Sequence, residues 1–512
     1  MGSFNIANTG TFNMAHGVTT ATGLTNAGTL AVAAGTTATI TGNYTQASTG
    51  IFSTGLATSA TNYGKLVVTG TADLSASNKI FVNVTGTPTL AAGNVLTSVI
   101  SAGTLTAGPT YTVTDNSALW DFTGATNGNA IDLTAKLGLT ALGSVISTGS
   151  TSAMGAAAVF DTLLGGTATP LPTADMGTVI TALGNLSSQA AVSNAVSQTL
   201  PLMTGEMEQA HLANLHGVNR IVQARQEGNR GLSSGDSFAT SRNAWVKPIG
   251  SWADQKDRDG APGYKAQTYG AAFGVDGEIS QTYRIGAAFA YTYSNVDSNS
   301  GAQNAKVDSY QAVLYGSRSM DGNTECNWQA DYGYNQNKGN RYIAFVARNA
   351  AADYSSSSFH LGMGVGRTIP MGEKTSFTPS FRADYTSIHD NGYTETGAGA
   401  LNLVVNGKTT NEFILAVDGK VNYALSDTST LIANLGVGHD AQARQSSITA
   451  AFQGGGAAFT TPGINPSSTL VHGGLGVVVK SGKGVEVTGR YDAETRTGFT
   501  GQTVSVKARW QF

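Results

Sequence analysis

From about residue 243 to the end of the chain, apolar and polar residues alternate one by one. That is the period of a β-strand whose two faces meet different surroundings. Tyr269, Ala271, Phe273, Val275 and Ile279 fall on one face, and Gly270, Ala272, Gly274, Asp276 and Glu278 on the other. The next segment sets Tyr283, Ile285, Ala287, Phe289, Tyr291 and Tyr293 against Arg284, Gly286, Ala288, Ala290 and Thr292. Further on, Trp328, Ala330, Tyr332 and Tyr334 oppose Gln329, Asp331, Gly333 and Asn335, while Phe377, Phe381, Ala383 and Tyr385 oppose Thr378, Ser380, Arg382 and Asp384. Val485, Val487 and Tyr491 oppose Glu486, Thr488, Arg490 and Asp492. The chain closes on Val504, Val506, Ala508, Trp510 and Phe512 against Ser505, Lys507, Arg509 and Gln511. Aromatic-tipped segments of about ten residues are the signature of a transmembrane β-barrel. A soluble sandwich also alternates, but it does not need Arg382 with Asp384, or Glu486 with Arg490, on one face of nearly every strand.

Twelve such segments start near Ala244, Gln267, Thr282, Lys306, Asn327, Ser355, Thr375, Glu412, Thr430, Thr469, Gly484 and Gln502. An even number suits an antiparallel barrel with both ends on one side. Longer connections at about 254–266, 337–354, 386–411 and 445–466 are the candidate outer loops.

Upstream the pattern changes twice. To about Lys136, short β-runs such as 29–32, 39–41 and 66–68 alternate with Gly/Asn turns, as in the stacked rungs of a solenoid. Ile40, Tyr44, Phe52, Leu66, Val67, Phe81 and Trp120 are the candidates for its narrow core; a disordered Thr/Gly-rich stalk is the alternative. Residues 137–200 carry Ala and Leu at helical spacing, interrupted at Pro170 and Pro172. After Pro201 comes a polar helix of about 24 residues, with Thr204 as N-cap and Gly228 as C-cap. His211, Asn214, Asn219, Arg220 and Arg225 lie on it, and it has no broad apolar stripe. A helix polar nearly all round is solvated or enclosed by polar walls, and this one would be about 36 Å long, near the thickness of a bilayer.

Charge sharpens the division. Through Leu200 there is no Arg and no Glu, and the first arginine is Arg220. Overall the chain has 512 residues, 65 Gly, 12% charged residues and a net charge of −3, too little positive charge for nucleic acid. One cysteine, Cys326, excludes a disulfide framework and a thiolate metal site. The opening lacks a basic, then apolar, leader, and its Met-Gly-Ser reads as the start of a piece of a longer natural chain.

The stretches 243–252, 268–297 and 504–512 resemble the translocator domain of classical monomeric autotransporters of the type V secretion pathway, and residues 42–74 are similar to the repeat that closes a β-helical passenger. The resemblance implies a mainly all-β protein: a 12-stranded transmembrane antiparallel β-barrel with a helix in its pore, preceded by a helical junction and a β-solenoid passenger fragment. The corresponding divisions are 1–136 (solenoid, autochaperone-like), 137–200 (junction), 201–242 (pore helix and turn) and 243–512 (barrel). It implies outer-membrane lipid, the barrel-insertion machinery and periplasmic chaperones as partners, a monomer, and a host-surface or cell–cell ligand for the passenger. Val506, Ala508, Trp510 and Phe512 resemble the family's C-terminal insertion signal. The lumen would be lined by Asp276, Glu278, Arg284, Asp331, Arg382, Asp384, Glu486, Arg490, Lys507 and Arg509, and would host Arg220, Arg225 and the polar helix face.

Candidate catalysis is weak. Residues 231–235, Gly-Leu-Ser-Ser-Gly, match a nucleophile elbow that needs a strand before it and a helix after it, the reverse of the order expected here. His211 and His216 are five apart, on different helix faces, and do not make a metal site. The paired-Asn motif with which some relatives cleave their passengers is absent. The expectation is no enzyme and no cofactor, with a porin-like channel carrying a periplasmic N-terminal domain, or a surface adhesin, as rivals.

Overall fold

The computed structural model describes residues 4–6, 9–20, 23–57, 59–85, 90–202, 242–321, 323–481 and 485–511. The helix expected after Pro201, with His211, Asn214, Asn219, Arg220 and Arg225, lies outside the described residues. So do residues 231–235 and Phe512.

The N-terminal region is a parallel β-solenoid. Phe4–Ile6, Leu24–Asn26 and Tyr44–Gln46 stack in register, Phe4 on Leu24 on Tyr44. A second column stacks Thr11–Asn13, Thr29–Val32, Ile51–Leu56, Lys79–Val84 and Thr112–Asp115. Alternate residues of each rung fill a thin core: Leu30 and Val32, Ala38 and Ile40, Leu66 and Val68, Ile80 and Val82. Ile40, Tyr44, Phe52, Leu66 and Trp120 are buried, as expected. Val67 and Phe81 are a correction. They are only half-buried, because the pleat turns their neighbours inward. The stack ends in an antiparallel hairpin, Trp120–Asn127 with Ala130–Leu137, laid on Val95–Thr106, which covers an edge otherwise open to pairing.

Four helices follow: α1 (Ala141–Ser147), α2 (Met154–Leu164), α3 (Ala174–Gly184) and α4 (Gln189–Ser197). Thr140, Thr173 and Ser188 cap α1, α3 and α4 through their hydroxyls, satisfying backbone N–H groups that a first turn leaves free.

The barrel strands are β1 (Arg242–Gln255), β2 (Tyr264–Glu278), β3 (Tyr283–Ser298), β4 (Gln303–Ser319), β5 (Thr324–Ile343), β6 (Arg348–Arg367), β7 (Thr375–Asp390), β8 (Lys408–Ser426), β9 (Ser429–Asp440), β10 (Thr469–Ser481), β11 (Val485–Arg496) and β12 (Phe499–Gln511). Each pairs antiparallel with the next, β6 with β7 included, and β12 returns to β1 with Ala508 opposite Val246 and Gln502 opposite Trp252. The ring is closed, so no strand edge faces lipid.

Outward positions carry the apolar residues, among them Phe273, Leu314, Val417, Leu435 and Leu475. On β3 the belt runs from Tyr283 to Tyr293. Ten residues at about 3.3 Å each, tilted by about 40°, give a height of about 25 Å, that of an outer-membrane apolar band. Beyond Tyr293 the same outward face becomes polar, with Asn295 and Asp297, and neighbouring strands follow with Lys265, Lys306 and Lys338. The strands therefore continue past the membrane.

The expected outer loops need correction for that reason. Residues 337–354 are not a loop: β5 and β6 run through them to a tight turn at 344–347. The connections 391–407 and 441–468 are long but structured. Together they form a small sheet of Tyr393–Thr394, Leu403–Val405, Ser447–Phe452 and Phe459–Pro462.

Candidate functional site

Two places carry the chemistry of this chain: the inner wall of the barrel and its outer mouth. Alternation turns every second residue of each strand inward, and most of those residues are polar. Asp276 accepts hydrogen bonds from Arg284 (3.0 Å), Tyr315 (2.9 Å) and Asn243 (3.3 Å), and Arg284 also reaches Glu278 at 2.5 Å. Asp331 accepts from Gln311 (2.7 Å) and Gln329 (3.0 Å), and His360 bridges Asp331 at 2.6 Å and Asp384 at 2.9 Å. Arg382 is shared between Asp384 (2.8 Å) and Asn327 (3.0 Å). Across the barrel, Glu486 takes Arg509 at 2.8 Å and Lys507 at 3.4 Å, and Arg490 takes Asp492 at 2.7 Å and Asn434 at 2.6 Å.

The ten charged residues proposed from sequence thus lie on the inner face, nine of them beside an opposite charge on the same wall and Asp331 beside His360. Other inward residues lay outside that set. Trp245 is inward and donates to Tyr315 at 2.8 Å, and His472 pairs with Asp418 at 2.6 Å. Their signal was positional, since Trp245 shares parity with Asn243 and Lys247, but residue type suggested lipid for an aromatic.

At the other end of the insertion question, Val506 and Trp510 point outward and are exposed on β12, with Ala508 in the same outward row. Trp510 faces Ala244 across the closing pair and Val485 on the other side.

The outer mouth is covered by α1–α4. Two arginines flank the β5–β6 turn and reach up into the helices. Arg341 and Glu395 are buried together, 0% and 1% exposed, at 2.5 Å. Arg341 also donates to the carbonyls of Gln198 (2.8 Å) and Leu401 (3.0 Å). Arg348 grips Asp175 in the first turn of α3 with two hydrogen bonds, 2.6 and 2.8 Å, and the Ala400 N–H adds a third at 2.7 Å. That arginine holds the Asp175 carboxyl below the usual carboxylate range. Asp161 of α2 accepts the N–H groups of Ala141 and Leu142 at the start of α1, and burial pushes its pKa up.

Apolar contact completes the cover. Phe160 of α2 lies 5.2 Å from the ring of Phe452, which lies 5.0 Å from Phe459. Ser152 and Thr151 donate to the backbone of Gly260 and Asp259 in the β1–β2 turn. One core runs from Leu119 and Trp120 at the solenoid's end, through the helices, to Ile343, Leu401, Leu403 and Phe452 of the barrel's loops.

A closed ring of twelve strands with an apolar belt, a polar wall and a covered outer mouth restricts the families it can join. Residues 244–492 match the model of the autotransporter beta-domain family. The barrel belongs to that family. The chain is similar to outer membrane protein A of Rickettsia rickettsii, 29% identical over 334 residues that take in 62% of this chain and 15% of that protein. Outer membrane protein B of Rickettsia prowazekii is 25% identical over 294 residues, 55% of this chain and 18% of that protein. The translocator domain of the autotransporter NalP from Neisseria meningitidis has a TM-score of 0.49 at 19% identity, covering 59% of this chain and 98% of that one. The chain therefore spans under a fifth of the length of these curated relatives. As an autotransporter β-domain, the barrel is an outer-membrane translocator domain of a Gram-negative cell.

Proposed function

We propose that residues 203–241 thread the barrel, so that residues 1–136 leave the cell as the last part of a passenger and residues 137–200 settle on the mouth behind them. The observation that carries this is the position of two chain points. Leu202 is packed among inward residues at the outer end of β1–β6, while Arg242 opens β1 at the opposite end. The 24-residue polar helix expected between them, about 36 Å long, is long enough to join them. His211, Asn214, Asn219, Arg220 and Arg225 are then residues of the pore.

The wall suits transit. Its carboxylates and guanidinium groups neutralise one another along the wall, and a passing chain meets few free charges to hold it. A solenoid that folds rung by rung outside opposes backward diffusion, so neither a nucleotide nor a cofactor is needed, and the chain works without catalysis. On the same reading, Val506, Ala508, Trp510 and Phe512 are the signal by which insertion machinery takes the barrel from periplasmic chaperones. The protein acts as a monomer, and any host-surface or cell–cell ligand belongs to the solenoid and what lies upstream of it.

The test is protease accessibility on intact cells, with a secretion signal and an epitope tag fused ahead of residue 1. External protease should remove the tag and leave the barrel. A tag that survives until the outer membrane is opened puts residues 1–200 in the periplasm, and the porin-like reading then replaces this one.

A further inference from the structure

The inner wall changes character with height. Over most of the lumen it is charged or amide-bearing. Near the outer mouth it turns small and apolar. Ala253, Ala266, Val296, Ala305, Gly339 and Ala352 are joined, each directly paired with the next, across β1 to β6. They form an unbroken row around half the ring. Such a row gains nothing from facing water, and an apolar constriction of a pore tends to dewet.

The row has an occupant. Leu202, 3% exposed, is buried in one cluster with five of these residues and with Tyr264 and Val307. The remaining position is a glycine for a steric reason: a β-carbon on Gly339 would collide with a Leu202 methyl group. Tyr393 packs against the cluster and stacks on Tyr354 at 4.6 Å, closing it from the β6–β7 side. Gln198, four residues earlier, is fixed from above. Its carbonyl receives Arg341 at 2.8 Å and its side chain receives the Ala344 N–H at 2.7 Å.

We infer that Leu202 and this row are a permeability gasket, shutting the outer mouth to water and small polar solutes once export is complete. The seal belongs to the cap and works whatever occupies the lower lumen. It rests on the translocator reading in one respect: a barrel that stays in the outer membrane after transport must not leak.

The measurement is made on the full chain, purified and reconstituted. Planar-bilayer conductance and the swelling of liposomes in small sugars are compared for wild type, Leu202→Asp, Gly339→Val and, as a control, Ile146→Asp at an exposed position of α1. Wild type and the control should stay closed. Leu202→Asp, which wets the row, and Gly339→Val, which displaces the leucine, should raise swelling several-fold and give sustained openings. Heat-modifiable mobility on gels reports whether each barrel is folded. Folded Leu202→Asp and Gly339→Val barrels as tight as wild type would overturn the gasket.

A milder probe covers the case in which those variants do not assemble. Leu202→Cys in a Cys326→Ser background should resist a membrane-impermeant maleimide in the native protein and react after denaturation; rapid native labelling refutes a dry seal. Conductance does not depend on which side the N-terminal region occupies. A failure of the translocator reading shows in the protease experiment, and a failure of the gasket shows here.

Discussion

Replacing Glu395 with glutamine alters one group in the mouth and leaves its shape unchanged. In the native protein one carboxylate oxygen accepts from Arg341 Nη2 at 2.5 Å and from the Leu403 N–H at 2.9 Å, and the other accepts from Arg341 Nε at 3.2 Å. Every incoming group is a donor. A glutamine must turn its NH2 toward at least one of them, so a donor–donor contact is unavoidable in either orientation. The Arg341 charge is then buried, at 0% exposure, with no anion beside it. Breaking one half of a buried pair costs about 3–5 kcal/mol, so the docked state should lose about two to three and a half powers of ten in population.

Hydrogen exchange on the full chain reads this directly, because local opening sets the protection of each segment. Protection of residues 189–202 and 393–405 should fall together by that factor, while β3 in the membrane belt stays as it was. Unchanged exchange in both segments would refute the reasoning, as would loss confined to one of them. The double variant Arg341→Met with Glu395→Met separates charge from packing. Two apolar side chains of similar volume should restore most of the protection, and if they do not, the hydrogen bonds of Arg341 to Gln198 and Leu401 carry the docking instead.

Three further outcomes follow from the geometry. Phe160→Ala, in the aromatic cluster with Phe452, should cost about 3–5 kcal/mol, seen as a lower melting temperature of the helical and solenoid signal with heat-modifiable barrel mobility unchanged. Val417→Arg places a charge on the lipid face and should cost about 2–4 kcal/mol if it sits at the midplane, measured by denaturant titration in lipid vesicles; a neutral result would displace β8 from the apolar belt. Asp175 titrates low in the folded protein because Arg348 favours its ionised form. Its share of the docking is therefore complete above the ordinary carboxylate pKa of about 3.9 and is lost as pH falls through the lower folded value. Asp175→Asn should remove that acid-dependent step from the exchange of residues 174–184, and a step that persists assigns it to another carboxylate.

Much of the barrel was legible because one rule governs it. Phe273 and Val275 differ from Asp276 only by parity, and lipid outside with polar walls inside makes parity visible. The rule misled where strands leave the membrane. Residues 337–354 looked like a loop because Lys338 and Asn340 point outward where an aromatic was expected, yet pairing of Lys338 with Asp353 and Arg341 with Ala350 continues unbroken. In the solenoid the strands were visible but not which face was buried. Val67 and Val68 are equally apolar, and only the direction of the pleat picks Val68. The helices α2 and α3 were readable from their spacing, whereas their partners were not. Asp175 meets Arg348 across 173 residues, and no local pattern carries a contact of that range. The lumen charges could be placed on a face, but pairing His360 with both Asp331 and Asp384 required the register of three strands.

Strand β5 shows why assembly has an order. Its outward face reads Trp328 to Tyr334 for lipid and then Gln336, Lys338 and Asn340 for water. Its inward face reads Asn327, Gln329 and Asp331 for a polar lumen, then Gly339, Arg341 and Ile343 for the cap. The lower parts of both faces are satisfied as soon as the barrel closes in the membrane. The upper inward part is not, because Gly339 needs Leu202, Arg341 needs Gln198, and Ile343 joins the core that includes the helices. A translocator exporting its own chain holds those partners last, since residues 198–202 directly precede the segment proposed to remain in the pore. On the proposed export route, the apolar row is uncovered while the chain passes and is covered when residues 198–202 arrive. On that proposal, closure draws on the same burial that stabilises the cap.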